Sequence, residues 1–460
     1  MEDPGMIHHA KASGNVDTAT GPGFPAKAPC PGGNRVSLLT LGCKVNQVET
    51  EALSEEFVHH GYQIVDISGV ADIYVINTCA VTRTAEKKSR AIIRRAKRRN
   101  PQGLVVVTGC YAQLAKSDLM TLPEVDLVIS NQDKEYLVDC LIRYLQSKEE
   151  PTGSGDRCLR PVRYTYRHGR TRGFIKIQDG CENYCSYCIV PLARGPVRSK
   201  LPEHVLTEVQ SMVANDYREI VLNGIHLGQY GKDLEGWDLT RLLELILTEI
   251  PGDYRIRLGS VEPTEITEDL VELVVNESRL CNHLHIPLQS GSDKILKAMN
   301  RHYTAAQYLA ILADLYHRQP QIGLTADVMV GFPGEGEREF GETCQLVENS
   351  PLNDLHVFRF SARPGTRAAV MENQVSEEIK NERSQKLIEL GHHRRSRFLQ
   401  SLIGEQLEVL TEETAPGGLR GLSGNYVDVV VEGAEATNCF YLTSIYGVQG
   451  SSLLGKIVEP

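Results

Sequence analysis

Three cysteines, Cys181, Cys185 and Cys188, fall within eight residues in the segment GCENYCSYCIVP, a C-x3-C-x2-C spacing. They directly follow GFIKIQDG, a strand candidate. Thiolates this close on one loop are metal ligands by type. A 4Fe-4S cluster normally takes four thiolates, so a loop supplying three leaves one iron open to a small ligand. On such an iron the amino and carboxylate groups of S-adenosylmethionine would chelate, and one electron would break a C–S bond to give a 5'-deoxyadenosyl radical. Two plainer readings compete, a structural zinc site and three incidental core cysteines. Zinc sites usually pair C-x2-C units with a fourth Cys or His at a matching distance, and no obvious partner stands nearby. The spacing, the strand before it and Tyr187, just ahead of the third cysteine, favour the open cluster.

Cys43, Cys79 and Cys110 are far apart in sequence, yet each closes an apolar run, in VSLLTLGC, DIYVINTC and LVVVTGC, and each precedes a helical pattern. In an open parallel sheet the carboxyl ends of neighbouring strands converge on one crevice, where such folds bind ligands. Three thiolates would meet there and hold a second 4Fe-4S cluster, again with one open iron, available to exogenous or cluster-derived sulfur. Any one of these cysteines reads equally as an ordinary buried residue; recurrence at one structural phase in three successive units argues otherwise. One cluster would make radicals and the other handle sulfur. Cys140, Cys158, Cys281, Cys344 and Cys439 lack that phase and read as structural.

The elements that must position these residues follow from the same alternation. A chain of 460 residues should divide into about three units. Residues 1–34 are rich in Gly, Pro and Ala with no regular period, and read as a disordered tail in which Cys30 does nothing. Residues 35–146 alternate apolar runs with helical segments, the first from Val48 to His60, and read as an open parallel α/β sheet domain carrying the sulfur cluster. Residues 147–172 read as a basic linker. From 173 to 402 six strand candidates alternate with helices: GFIKIQDG, EIVLNGIHLG, YRIRLGSVEP, HLHIPLQSG, LTADVMVGFPGE and LHVFRFSARPGT. They suggest a partial βα barrel with its chemistry on the loops after the strands. Residues 403–460 read as short strands with glycine turns, a small all-β barrel. The predicted fold class is α/β with that all-β unit at the end.

Twelve cysteines in a long chain without an export signal point to metal chemistry rather than disulfides. No apolar run approaches the roughly 18 residues a bilayer span needs, so no membrane partner is expected and the cytoplasm is the default location. A net charge of -10 excludes a generally basic, non-specific nucleic-acid binder but not local basic patches.

Taken together, TLGCKVNQVETE, DIYVINTCAVT, VTGCYAQ, QDGCENYCSYCIVPLARGPVRS and DVMVGFPGE resemble the methylthiotransferase family of radical S-adenosylmethionine (radical SAM) enzymes, over almost the whole chain from about Arg35. GCKVNQ with VINTCAVT and VTGCYAQ is similar to the tRNA N6-threonylcarbamoyladenosine methylthiotransferases within it. The resemblance implies a sulfur-cluster domain, a radical SAM domain and a C-terminal TRAM domain. It implies methylthiolation at C2 of N6-threonylcarbamoyladenosine, immediately 3' of the anticodon in certain tRNAs, with S-adenosylmethionine as both methyl donor and radical source. An unactivated aromatic C–H bond offers no acidic proton, so no general base is expected. Leu192, where an aromatic is usual, and Asn223, where a threonine is usual, depart from the family pattern.

Loops after the barrel strands should hold S-adenosylmethionine, through Tyr187, Asn223, Gly224, Glu262, Gln289, Ser290 and Gly331, since glycine admits a close ligand and polar groups orient it. The segment EKKSRAIIRRAKRRN brings Lys87, Lys88, Arg90, Arg94, Arg95, Lys97, Arg98 and Arg99 into one helix after Cys79, suiting a tRNA backbone better than a merely solvated face. Arg163, Arg167, Arg170 and Arg172, with Arg394, Arg395 and Arg397, would extend that track, and Tyr426, Phe440, Tyr441 and Tyr446 are the aromatics of the terminal barrel. A reducing electron donor and a sulfur donor of unspecified identity complete the expected partners. The rivals are methylthiolation of isopentenyladenosine tRNA or of a ribosomal protein, a radical enzyme that only methylates, and a non-catalytic RNA-binding protein holding zinc.

Overall fold

A computed structural model of the protein describes residues 8–9, 33–66, 68–147, 159–162 and 171–458. Cys30, Cys158, Arg163, Arg167 and Arg170 lie outside the described residues. The chain forms two compact units, one of Met1–Gly169, Gln178–Glu182 and Cys188–Glu208, the other of Arg170–Ile177, Asn183–Tyr187 and Val209–Pro460.

In the first unit the parallel strands β1 (Arg35–Thr40), β2 (Ile73–Thr78) and β3 (Leu104–Gly109) lie side by side, Val36 opposite Ile73 and Ile73 opposite Leu104. Every residue of β2 is buried, as a parallel strand covered on both faces requires, and this is why these strands read as continuous apolar runs. Short strands at Gln63–Ile64, Leu127–Val128 and His8–His9 complete a six-stranded sheet. The last of these, inside the stretch read as a tail, pairs antiparallel with Leu39 and Thr40.

Each main strand feeds a helix: α1 (Lys44–His59), α2 (Arg83–Arg99) and α3 (Cys110–Leu114). Helix α1 starts at Lys44, earlier than the periodicity from Val48 suggests, because Asn46 and Glu49 in its first turns are buried polar residues that hide the apolar period. One core layer joins Ile92 and Ile93 of α2 to Tyr74, Ile76, Val105 and Val107; the other joins Leu53 and Phe57 of α1 to Val36, Ile73, Val75 and Val106.

All six strands expected of the partial barrel form: β4 (Arg172–Asp179), β5 (Glu219–Gly224), β6 (Arg255–Leu258), β7 (His283–His285), β8 (Gly323–Val330) and β9 (Asp354–Arg359). The last two residues of β4 belong to the first unit and pair antiparallel with Arg198–Ser199. The second unit holds the rest, with β6 alongside β5 and the parallel trio β7-β8-β9 joined to β6 only by isolated bridges such as Ser260 to His285. The register sets His285 opposite Thr325 and Asp327 opposite His356.

Strands β10 (Gln406–Ala415), β11 (Gly418–Ser423), β12 (Asp428–Glu432), β13 (Phe440–Gln449) and β14 (Ser452–Ile457) close a small barrel in the order β10-β11-β12-β14-β13. Closure removes exposed strand edges, and Leu407, Val409, Val429, Val431, Ile445 and Leu453 fill the interior. The loop after β11 docks on the amino ends of β5, β6 and β7. Arg255 Nη2 donates to Leu422 O at 2.7 Å, Arg257 donates to Ser423 O at 3.0 Å and Gly424 O at 2.9 Å, and Tyr426 stacks on His283 with ring centroids 4.7 Å apart. Glu219, fully buried, binds both guanidiniums at 2.7–2.9 Å. With the amino ends capped, the carboxyl ends of these strands are left for chemistry.

Candidate active site

Cys43 directly precedes α1, Cys79 directly follows β2 and Cys110 opens α3, so the three thiols stand at the carboxyl ends of adjacent parallel strands. Two glycines permit the approach. A Cβ on Gly42, whose φ is +104, would stand 2.7 Å from Cys79 Cβ and 2.8 Å from its sulfur; one on Gly109, φ +98, would stand 2.3 Å from Thr78 O. Only glycine adopts such angles freely and leaves the space empty. Side-chain amides fix the strand ends: Asn46 Nδ2 donates to Leu41 O at 2.7 Å and Thr78 O at 3.1 Å, and Asn77 Nδ2 to Asn46 O at 2.9 Å and Thr50 Oγ1 at 3.1 Å.

Burial first, then Cys110 and Cys43, push the Cys79 thiol up to about 12 against the opposing pull of the Val81 amide and Arg194. Desolvation also raises Cys43, even though its surface remains open to solvent; that open surface is what a small ligand needs. Thiols packed so closely that Cys43 and Cys79 resist ionisation are a poor resting arrangement for free cysteines and a good one for iron, which takes them as thiolates. The donor set therefore fits a three-cysteine iron-sulfur cluster.

A buried charge network adjoins them. Arg194, its side chain 1% exposed, donates to Glu49 Oε1 at 2.8 Å, Asp179 Oδ1 at 2.9 Å and Asn46 Oδ1 at 2.5 Å. Lys134 Nζ donates to Glu49 Oε2 at 2.7 Å, and Arg198 Nη2 to Asp179 Oδ2 at 3.1 Å. Burial opposes the charge on Arg194, but the Glu49 and Asp179 carboxylates outweigh it and hold the guanidinium well above its ordinary value. Also in the first unit, Cys181 N donates to Gly195 O at 3.1 Å, and a Cβ on Gly180 would stand 1.9 Å from Pro196 O. Cys188 is half-buried.

In the second unit Ser186 pins the segment around half-buried Cys185, its N donating to Met299 O at 2.9 Å and its Oγ to Ala298 O at 2.8 Å. Arg301 Nη1 lies 3.6 Å from Cys185 Sγ and donates to Glu262 Oε1 at 3.0 Å. A small pocket beside them is lined by Asn183, Glu262, Thr264, Asn300, Arg301, His302 and Tyr303. Asn223 and Gly224 end β5, with Asn223 Nδ2 bonded to Val221 O at 3.0 Å. Gln289 holds a left-handed φ of +62 and its N donates to Asp327 O at 2.8 Å. Ser290 Oγ meets Thr343 Oγ1 at 3.3 Å. The Cβ space at Gly331, φ +72, is taken by the Lys380 stem, whose Cγ would be 2.2 Å away. The Tyr187 ring meets Phe332 edge-on with centroids 6.4 Å apart.

Residues 35–130 match the family described as uncharacterized protein family UPF0004, and residues 175–347 match the radical SAM superfamily. The chain is 42% identical over 409 residues to the threonylcarbamoyladenosine tRNA methylthiotransferase MtaB of Bacillus subtilis, covering 87% of this chain and 91% of that protein. It is 38% identical to the protein of the same name from Aquifex aeolicus, covering 87% of this chain and 97% of that one. The chain belongs to the threonylcarbamoyladenosine tRNA methylthiotransferase family. A tRNA-2-methylthio-N(6)-dimethylallyladenosine synthase of Carboxydothermus hydrogenoformans shares 34% over 87% of this chain and 88% of its own. The solved radical S-adenosylmethionine methyltransferase TsrM from Kitasatospora setae superposes with a TM-score of 0.55 at 14% identity, over 73% of this chain and 77% of that one, a likeness of fold. As a radical SAM methylthiotransferase, the protein is a transferase that uses S-adenosylmethionine and two 4Fe-4S clusters.

On α2 of this methylthiotransferase, Ala85, Ile92, Ile93 and Ala96 face the core while Lys87, Arg94, Arg95 and Arg98 face solvent, and Lys88 is half-buried. Arg90 is committed elsewhere: its Nε donates to Tyr111 OH at 2.6 Å, one residue after Cys110. Lys97 is held by Asp126 at 2.8 Å. Of the terminal aromatics, Tyr426 and Phe440 lie beside Arg257 and Arg255 respectively, whereas Tyr446 is exposed. Among the described residues no helix is long and apolar enough to cross a membrane.

Arg194, Glu49, Lys134, Asp179 and Arg301 escaped the sequence reading. Arg194, Glu49 and Asp179 stand inside or beside the cysteine motifs, but nothing local announces that charged residues 145 positions apart will pair in a dry interior.

Proposed function

We propose that this chain converts N6-threonylcarbamoyladenosine beside the tRNA anticodon into its 2-methylthio derivative. The observation that carries the reading is two three-cysteine sets in one chain, Cys43, Cys79 and Cys110 at the ends of a parallel sheet and Cys181, Cys185 and Cys188 on one loop. A methylase that only transfers carbon has no use for the first set, and a structural zinc site has no use for a loop left one ligand short. Greater identity to the threonylcarbamoyladenosine relatives than to the dimethylallyladenosine relative supports the choice of base.

When bound, S-adenosylmethionine and the two clusters supply a methyl group, a carbon radical and the sulfur that receives the methyl. The residues of the chain position and insulate. Arg194 places a permanent positive charge near Cys43 and Cys79, which favours their thiolates. Arg301 offers N–H groups to Cys185 and Glu262, holding the loop edge and an acidic pocket wall together. Asn223 and Gly224 end β5, Glu262, Gln289, Ser290 and Gly331 follow the carboxyl ends of other barrel strands, and with Tyr187 they form the cofactor environment in this reading. Lys87, Lys88, Arg94, Arg95 and Arg98 hold the tRNA stem by its phosphates, and the substrate base is presented unstacked from its loop. Arg90 supports Cys110 through Tyr111 instead. The reaction runs in the cytoplasm with a reducing electron donor as partner.

Mass spectrometry of tRNA nucleosides from cells lacking the protein, complemented with wild type or Cys43→Ala, tests this. The 2-methylthio nucleoside should vanish on deletion and return with wild type alone. Its persistence in cells with no redundant enzyme would sink the assignment, and loss of the dimethylallyladenosine product instead would move the substrate to the other branch.

A further inference from the structure

Three ligand-type side chains outside both cysteine sets converge on one face of the β7-β8-β9 sheet. His285, Asp327 and His356 bring one donor atom each within 4.8 Å of the other two. We propose that they form a binding site for a divalent transition-metal ion of the zinc or ferrous class, separate from the iron-sulfur clusters. The register places them there: His285 is opposite Thr325, two residues before Asp327 on the same face of β8, and Asp327 is opposite His356. The other face of these strands carries Leu284, Ala326 and Val328, all fully buried.

The spacing suits a shared ion, the His285 contact lying at the long end of the hydrogen-bond range and the His356 contact beyond it. Asp327 Oδ1 lies 3.2 Å from His285 Nε2 and 3.6 Å from His356 Nδ1. Charge-assisted N–H···O bonds run at about 2.7–2.9 Å, and 3.6 Å is beyond hydrogen-bond range. Donor atoms that share a tetrahedral ion at bonds of about 2.0–2.2 Å instead sit about 3.3 Å apart. His285 is also prepared as ligands of this kind are: its Nδ1 meets Thr325 Oγ1 at 2.8 Å, which fixes the ring and turns Nε2 toward Asp327. The His356 side chain is 57% exposed, and its ring lies against that of His285 with centroids 5.4 Å apart. Three protein donors leave one position for water or a ligand oxygen, the pattern of an open rather than a structural site. The loop after β7 runs beside this strand, Gln289 N donating to Asp327 O at 2.8 Å.

Anaerobic holoenzyme with both clusters loaded, titrated with Zn2+ and followed by calorimetry and metal analysis, tests the site. Wild type should take one zinc per chain beyond its iron. Thr325→Val, which leaves all three ligands in place, should bind it about 10- to 100-fold more weakly. His356→Ala, a change at an exposed side chain, should weaken binding at least as much. Melting curves and iron content matching wild type show that both variants are folded and loaded. Zinc taken up equally by all three proteins, or by none, overturns the proposal.

Discussion

A guanidinium survives burial only when acceptors replace its lost water, and Nη1 and Nη2 of Arg194 are met by two carboxylates and an amide drawn from α1 and β4. Removing the cation would leave Glu49 with Lys134 alone and Asp179 with Arg198 alone as counter-charge in a largely dry interior. Arg194→Gln should cost about 3–5 kcal/mol, read from urea unfolding, and should remove the charge that favours the thiolates of Cys43 and Cys79. The same variant should therefore assemble the sulfur-side cluster poorly. Unfolding at the wild-type midpoint would show the network to be dispensable. Gly42→Ala probes the same site sterically, since its Cβ would fall 2.8 Å from Cys79 Sγ at a φ that side chains avoid. Iron after reconstitution should fall by about half, one cluster of two being lost, while S-adenosylmethionine cleavage at the other cluster persists. Full iron content would show that the turn can yield.

At the scale of elements, α2 separates its cations by task. Arg94, Arg95 and Arg98 face solvent, Arg94 with only a long 3.9 Å ion contact to Glu124, whereas Arg90 and Lys97 are bound closely to neighbours. Replacing the three exposed arginines with Gln should weaken tRNA binding across sequences and flatten its dependence on log salt by about one unit per phosphate contact removed, with no change in melting temperature. An unchanged salt slope would return the helix to a merely solvated face. The parallel strands were legible in the sequence because strands buried on both sides read as apolar runs, and the strand-end phase of Cys43, Cys79 and Cys110 was legible for the same reason. The start of α1 was not, because Asn46 and Glu49 are polar residues used inside. The division of labour within α2 was not either, because it depends on Tyr111 and Asp126, residues that only the folded sheet brings alongside. The His285, Asp327 and His356 face shows in the alternation of HLH, TAD and LHV, yet strand order had to be known before the three could be seen to share a sheet face.

At the scale of the whole chain, the closed C-terminal barrel is tied to the partial barrel through buried ions and carbonyls. Glu219 is the keystone: burial would raise its carboxyl, but Arg257 and Arg255 outweigh burial and hold it well below the ordinary carboxylate range. A carboxyl lowered in the folded state contributes stability above its unfolded value of 4.5 and loses that contribution as pH falls below it. Glu219→Gln leaves two buried guanidiniums short of their anion and should cost about 3–5 kcal/mol at neutral pH, and its deficit against wild type should shrink as pH drops below the unfolded value. Hydrogen exchange locates the effect. Amides of Val427 and Ser423, which close the docking loop by bonding to Ser423 Oγ and Val427 O, should lose protection in the variant. Those of β1, β2 and β3, in the other compact unit, should not. Equal protection of the loop in both proteins would show that the His283–Tyr426 stack and the backbone bonds hold the barrel without the carboxylate.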